Sequence, residues 1–459
     1  MNRNLIVLQG FMVNYSIIQK SQLEGGLRLD AEFYHPEKLE AMERLVKSGV
    51  STISENFRNI KETFNPARHQ LATTPARVFD LSDVSSFLLE EGTKVEKADE
   101  VGSTKKIIRQ NDVLISRLRP YLKEVSFVGF NDVQKLASTE FVVLRTKKDS
   151  KFPPQALFAF LMIDEVQKIL FWSQGGTEHP RFSENLLMGL KLPKPSEKIA
   201  ESIIDDVNNA YKNYLISRNL YSQAENLLLE DLEFKDFEVE DDLSYIVNLS
   251  EVKSAHRADA EYFQPKYDKL VERIKKYGAA SLLDLVQNVA ARFSSKSQPD
   301  KIFQYVELSN ITSSVGTIDG FSEVSGSEAP SRAKRVLKTN DVVLSSVEGS
   351  LEKVALVGKD REGYLASNGF FQFRSKDILP EVLLVLAKSF VLQMQFEKET
   401  AGTILTAVPK EAVKNIVVPK IGKPTQQKIA DLVQKSHEAR AKAKQLLAQA
   451  KNKVENLIK

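Results

Sequence analysis

Two arginines stand one residue apart in the run Ser116-Arg117-Leu118-Arg119-Pro120-Tyr121-Leu122-Lys123, and 229 positions later a matching run carries Ser346 and Glu348 in their places. Arginine is the commonest reader of guanine, through a paired contact to O6 and N7, and glutamate can accept from cytosine N4. Exchanging these types within a kept frame is what two readers of different base sequences would carry. Drifting surface residues would look the same. Tyr121 and Lys123 in the first run and Lys353 in the second complete the candidate DNA-contacting set. Lys105, Lys106 and Arg109 are matched in sign by Lys334, Arg335 and Lys338. That pattern suits phosphate contacts, where charge without identity suffices; a solvated basic edge is the other reading.

Other chemistry is hard to place. Asp30 and Glu32, repeated as Asp259 and Glu261, could form an acid/base pair. Two acids just before a helix more often cap it or bind its free backbone N–H groups. The chain has no phosphate-binding loop, no Gly-x-Gly-x-x-Gly turn after a strand, no His-Glu-x-x-His pair and no Gly-x-Ser-x-Gly elbow. The string nearest to an amino-methyltransferase tetrad is Asn65-Pro66-Ala67-Arg68, which lacks the second proline and the aromatic residue. Five scattered histidines and no cysteine argue against a metal centre. Trp172 and His179 read as packing and turn residues. The chain is expected to bind rather than catalyse, and to hold no cofactor of its own.

The elements that position the candidate residues are written twice. Arg28-Leu29-Asp30-Ala31-Glu32-Phe33-Tyr34-His35-Pro36 returns as Arg257-Ala258-Asp259-Ala260-Glu261-Tyr262-Phe263-Gln264-Pro265, and Asn111-Asp112-Val113-Leu114-Ile115-Ser116 as Asn340-Asp341-Val342-Val343-Leu344-Ser345. A period this long marks a duplicated domain rather than a solenoid, whose repeats run to roughly 20 to 50 residues. Each copy opens on a helix that starts at Pro36 or Pro265 and stops at Gly49 or Gly278. Met42, Leu45 and Val46 are its expected apolar stripe, with Val271 and Ile274 repeating the first two. Strands are expected at Val113-Leu114-Ile115 and Val142-Val143-Leu144, with partners at Val342-Val343-Leu344 and Phe370-Phe371-Gln372-Phe373. Each copy closes on an apolar strand ending in Pro193 or Pro419.

A long helix without internal breakers follows each copy, at about 197–232 and 425–459. The first carries a seam of Ile203, Val207, Ala210, Tyr214, Ser217, Tyr221, Ala224 and Leu228. The second carries Ile429, Leu432, Ser436, Ala439, Ala443, Leu446, Ala450 and Leu457. Both alternate steps near four and three, the rhythm of a coiled coil. The first helix has 7 acidic and 3 basic side chains and the second 3 and 8, so the two are expected to pair. The fold class is therefore α+β, with two tandem pseudo-symmetric domains at 15–195 and 244–421. Residues 1–14 form an N-terminal extension, 196–243 the central helix and linker, and 422–459 the C-terminal helix, the helices pairing as an antiparallel coiled coil.

Composition sets looser bounds. With 42% hydrophobic and 27% charged residues, the 459-residue chain is ordinary for a soluble globular protein. The N-terminal apolar patch is too short and interrupted for a signal peptide or span, so the expected location is cytoplasmic. A net charge of +3 does not by itself imply a nucleic-acid partner.

With these motifs in order, the chain resembles the specificity subunits of Type I restriction-modification systems over nearly its whole length. The resemblance is carried by the Arg-x-Asp-Ala-Glu-aromatic-aromatic-x-Pro opening and the run from Asn111 to Pro120. A Gly-Thr turn before the closing strand, at Gly176-Thr177 and Gly402-Thr403, completes it. The second copy departs from the Ser-Arg-x-Arg-Pro form. The resemblance implies two target-recognition domains, each reading half of a bipartite site in double-stranded DNA. Paired helices would dock two methyltransferase subunits and, through them, restriction and translocase subunits, with no membrane partner. S-adenosylmethionine, ATP and Mg would be bound by those partners. The other readings are a duplicated scaffold that binds proteins, and the specificity subunit of a related fused nuclease-methyltransferase system.

Overall fold

The computed structural model describes residues 6–8, 11–13, 15–23, 28–85, 88–89, 92–129, 133–402 and 406–459. Thr403 of the second Gly-Thr turn and part of the N-terminal extension lie outside the described residues. The chain divides into two compact units, Met1–Asn213 with Ala441–Lys459 and Tyr214–Arg440, so each long helix contributes to both. Helix and strand are mixed in each, as the α+β expectation has it.

In the first unit the opening helix is Pro36–Ser48, with His35 at its N-cap and Gly49 at its C-cap. Its buried face differs from the expected stripe. Ala41 and Leu45 are buried, whereas Val46 is 58% exposed. Lys38 is buried beside them, its ammonium 3.1 Å from the centre of the Phe33 ring. The face is therefore centred one position back, on the 38/41/45 row, and a charged head on an aromatic ring replaces an apolar contact there.

The expected strands form an antiparallel sheet in the order Val125–Phe127, Val113–Ser116, Phe141–Thr146, Phe57–Asn59. A second sheet runs Thr63–Phe64, Lys105–Ile108, Lys135–Ala137, Ala76–Phe79, Thr93–Val95, with one parallel pair between Lys135–Ala137 and Ala76–Phe79. The closing strand Lys191–Pro193 pairs with Gly49–Thr52. Helices absent from the sequence reading are Pro154–Leu161, Asp164–Trp172 and a short closing helix, Glu184–Gly189, just before the closing strand. Residues 155–161 of the first are all buried, the mark of a core helix rather than an amphipathic one.

The second unit repeats this plan by itself. Its helix Pro265–Lys276 precedes a sheet ordered Val286–Asn288, Phe370–Ser375, Asp341–Ser345, Val354–Leu356. Register recurs with the sequence offset: Ile115 faces Val142 in the first unit, and Leu344 faces Phe371 in the second. The core is built on Phe371 and Phe373, stacked 5.8 Å apart and both against Phe396. Residues 382–387 of the helix Pro380–Lys388 are buried on every side.

The long helices are Glu197–Asp231 and Lys423–Glu455. All eight predicted seam residues of the first are buried; of the second, Leu432 and Leu457 are only half-buried. Within the first unit Lys453 reaches Ser202 Oγ and Asp206 at 2.6 and 2.5 Å. Within the second, the Ser217 and Ser436 hydroxyls lie 3.1 Å apart, and Thr425 donates to Asp231 at 2.8 Å. Other cations of the second helix turn to the globular parts, Lys451 to Asp164 and Arg440 to Asp319.

Candidate nucleic-acid interface

The frame of the site is backbone, and it is common to both copies. In the first, the Arg117 N–H donates to Glu140 O, the Phe182 N–H to Arg117 O, and the Arg119 N–H to Pro180 O, at 3.1, 3.2 and 2.8 Å. Gly175 and Arg181 exchange two bonds of 2.9 Å. In the second, Ser346 donates to Gly369, Val408 to Ser346, and Glu348 to Thr406, at 2.8, 2.7 and 3.0 Å, while Ala401 and Ala407 exchange two bonds of 3.0 Å. The loop after the central strand is thus laid against the turn before the closing helix and strand in the same way twice.

Side chains on that frame differ. In the first copy the tip is Arg119 and Lys123, both with left-handed backbone at φ +49° and +56°, on either side of the short turn Pro120–Leu122. Such a conformation is uncommon for residues other than glycine. Arg119 and Lys123 are exposed, and Tyr121 is 48% exposed. Arg119 makes no side-chain hydrogen bond among the described residues. Arg117 is half-buried, with Nε donating to Glu140 at 3.1 Å. In the second copy Ser346 Oγ donates to Gly369 O at 2.9 Å, Glu348 is exposed, and Lys353 reaches Ile311 O at 3.5 Å.

The structure brings in residues the sequence reading missed. Arg181 clasps Glu140 with two bonds of 3.0 and 2.7 Å. Glu184 accepts from Asn59 at 2.6 Å and from Lys61, and lies 3.6 Å from Arg117. The Arg181 guanidinium, with help from Arg117, holds the Glu140 carboxyl below its ordinary value. Burial would raise Glu184, but the bonds from Lys61 and Asn59 outweigh it and keep it low. A signal for Arg181 existed in the sequence. Gly176-Thr177 and Gly402-Thr403 share an offset of 226, which sets Arg181 opposite Ala407, and the bridges Gly175–Arg181 and Ala401–Ala407 keep that register.

The expected phosphate set separates into two classes. Lys105 and Lys106 are buried; Lys105 binds Asp80 at 2.7 Å and Lys106 donates to Phe141 O at 2.6 Å. Arg335 is 3% exposed, donates to Val289 O at 2.6 Å, and is pushed down to about 10 by burial. Burial lowers Lys106 also. These three are buried cations on the strands Lys105–Ile108 and Ala333–Val336, each with an acceptor in the fold. Arg109 and Lys338 are exposed and Lys334 half-buried. Arg109 rests on Glu62 at 3.0 Å.

Among the described residues, no three His, Asp or Glu side chains are grouped to hold a metal ion. No helix among them is long and apolar enough to cross a membrane.

No protein-family model matches the chain, and no curated protein matches it. Solved structures do. The chain is similar to one solved for complex assembly and conformational transition of the type I R-M system, at 16% identity and TM-score 0.31, covering 89% of this chain and 97% of that one. It is similar to the HsdS subunit from Thermoanaerobacter tengcongensis at 14% identity and TM-score 0.31, covering 89% and 95%. It is also similar to the Type-I restriction-modification system S subunit from M. genitalium at 12% identity and TM-score 0.41, covering 89% and 94%. All three of these TM-scores are below 0.5.

Proposed function

We propose that the chain is the DNA-recognition subunit of a Type I restriction-modification complex, binding a bipartite duplex site and carrying no catalytic group itself. The observation that carries this is the twice-used backbone frame around residues 117 and 346, which presents different polar side chains at equivalent positions. A scaffold binding two identical partners would keep those side chains alike. Two readers of different half-sites must change them.

In this reading residues 15–195 and 244–421 are the two recognition domains, and Arg119, Tyr121, Lys123 and Glu348 face bases. Arg109, Lys334 and Lys338 face phosphates. The long helices pair as an antiparallel coiled coil, supported by the buried seam and by contacts at Ser217/Ser436 and Asp231/Thr425 that run in opposite chain directions. Two methyltransferase subunits, which bind S-adenosylmethionine, dock on these helices, and the restriction and translocase subunits join through them.

The test is to map methylated adenines in cells carrying the whole system with and without this gene. The expected result is one bipartite motif that vanishes with the gene. Methylation that persists unchanged without it contradicts the proposal.

A further inference from the structure

In the first copy the frame is braced by charge, and in the second it is not. Glu140 sits between two guanidiniums: Arg181 gives it Nε and Nη2, and Arg117 gives it Nε. Arg181 spends Nη1 on His179 O at 3.0 Å. Glu184 extends the brace to Lys61 on one side and toward Arg117 on the other. At the equivalent backbone positions the second copy has Ser346, Gly369 and Ala407, and the same loop-to-turn bonds form without any of these charges. The three positions have therefore changed together, from a mutually satisfying Arg/Glu/Arg set to three small side chains. Independent surface drift leaves stranded charges; a concerted exchange does not.

We infer that Glu140 is a positioning residue for the first recognition loop, and that Arg117, Glu140 and Arg181 are one specificity unit that fixes how Arg119 is presented to the bases of one half-site. This rests on the function proposed above. Arg181 has Nε and Nη2 on Glu140 and Nη1 on His179 O, and Arg117 has Nε on Glu140 and Nη1 3.6 Å from Glu184, so both guanidiniums are directed at the carboxylates of the frame. Arg119 sits between them in sequence and in the frame, its N–H held by Pro180 O and its guanidinium making no hydrogen bond among the described residues, with the Glu124 carboxyl in electrostatic range. Charge-assisted, bidentate pairing fixes orientation as well as energy. Loss of Glu140 lets the loop and turn shift against each other and blurs the base that Arg119 selects. The brace also implies a difference between half-sites: the first is read by a loop held by charged side chains, the second by a loop held by backbone and the Ser346 hydroxyl.

The experiment uses the complete system in cells, with adenine methylation mapped genome-wide for the wild type, Glu140→Gln, and the triple variant Arg117→Ser, Glu140→Gly, Arg181→Ala. The triple variant installs the second copy's own side chains, which that copy shows to be compatible with the frame, so it keeps the test open if Glu140→Gln folds poorly. The expected result is that both variants accept additional bases in the same half-site, with a several-fold drop in methylated fraction at the original sites and no change in the other half-site. An unchanged motif in both variants, or equal loss across both half-sites, overturns the inference. If the wild type directs no methylation, the proposed function itself has failed, an outcome separate from a wild type that methylates and variants that do not differ from it.

Discussion

Asn111-Asp112 and Asn340-Asp341 are kept in both copies for reasons of packing. Each Asn has left-handed backbone, φ +66° and +68°, at the tight turn into the central strand. Each Asp is fully buried and clasped by an arginine of the neighbouring strand, Asp112 by Arg145 at 2.8 and 2.7 Å and Asp341 by Arg374 at 2.8 and 3.0 Å. Asp341 also accepts from the Lys338 N–H and from Gln372, so Asp341→Ala strands several donors at once. The expected loss is about 3 kcal/mol, as for breaking a buried pair from one side, read by denaturant unfolding. The lysines teach the opposite lesson. Lys105-Lys106 looks like a phosphate patch in sequence, yet both side chains are buried and both ammonium groups have acceptors in the fold, Lys105 on the exposed Asp80 and Lys106 on Phe141 O. Residue type cannot reveal that, because lysine's long stem suits either surface or core. Lys106→Met should therefore leave the salt dependence of DNA binding unchanged and hold or raise stability, whereas Arg109→Ala should reduce the salt slope by about 1. Titrating binding against salt for both variants decides between them. Glu140 adds a pH prediction. Its folded value lies below the ordinary 4.5, chiefly through Arg181. The wild type's stability advantage over Glu140→Gln should be full above that ordinary value and fade as pH falls through the lower folded one. Unfolding measured from pH 7 to pH 3 should show it, and an advantage that grows on acidification would contradict the assignment.

Helices differ in how plainly they are written. The two long ones were legible because small and apolar residues recur at a heptad rhythm, and all eight expected positions of the first are buried. The helices Pro154–Leu161 and Pro380–Lys388 were not, because a segment buried on every side has no polar face and thus no 3.6-residue period to detect. The opening helix was found from its Pro start and Gly stop, but its stripe was misplaced at Val46, since the buried row contains a lysine. The loop of Arg117 and Arg119 is legible by comparing the copies at one offset; its brace is not, because Glu140 and Arg181 lie far apart in sequence and only the fold brings them to Arg117. Small seam residues carry an element-scale prediction. Ser436 is fully buried and hydrogen-bonded to Ser217 O at 2.7 Å. Ser436→Leu should destabilise the second unit by about 1 to 3 kcal/mol through overpacking, whereas Lys442→Leu, on the exposed side of the same helix, should change stability little. Equal effects in thermal unfolding would place the seam elsewhere.

At the scale of the whole molecule, duplication does what no single motif does. Each half holds its own core, its own central sheet with the same register, and its own copy of the loop-to-turn frame, so the frame can stay fixed while its side chains diverge. The near-neutral net charge carries none of this, because the opposed charges of the long helices cancel in the total. In the proposed function each half reads its own part of the DNA site. The most direct measurement exchanges residues 15–195 for the matching segment of another protein of this kind and maps methylated adenines in cells carrying the complete system. One half of the bipartite motif should change while the other half stays as it was. A motif altered in both halves, or in neither, would contradict the account.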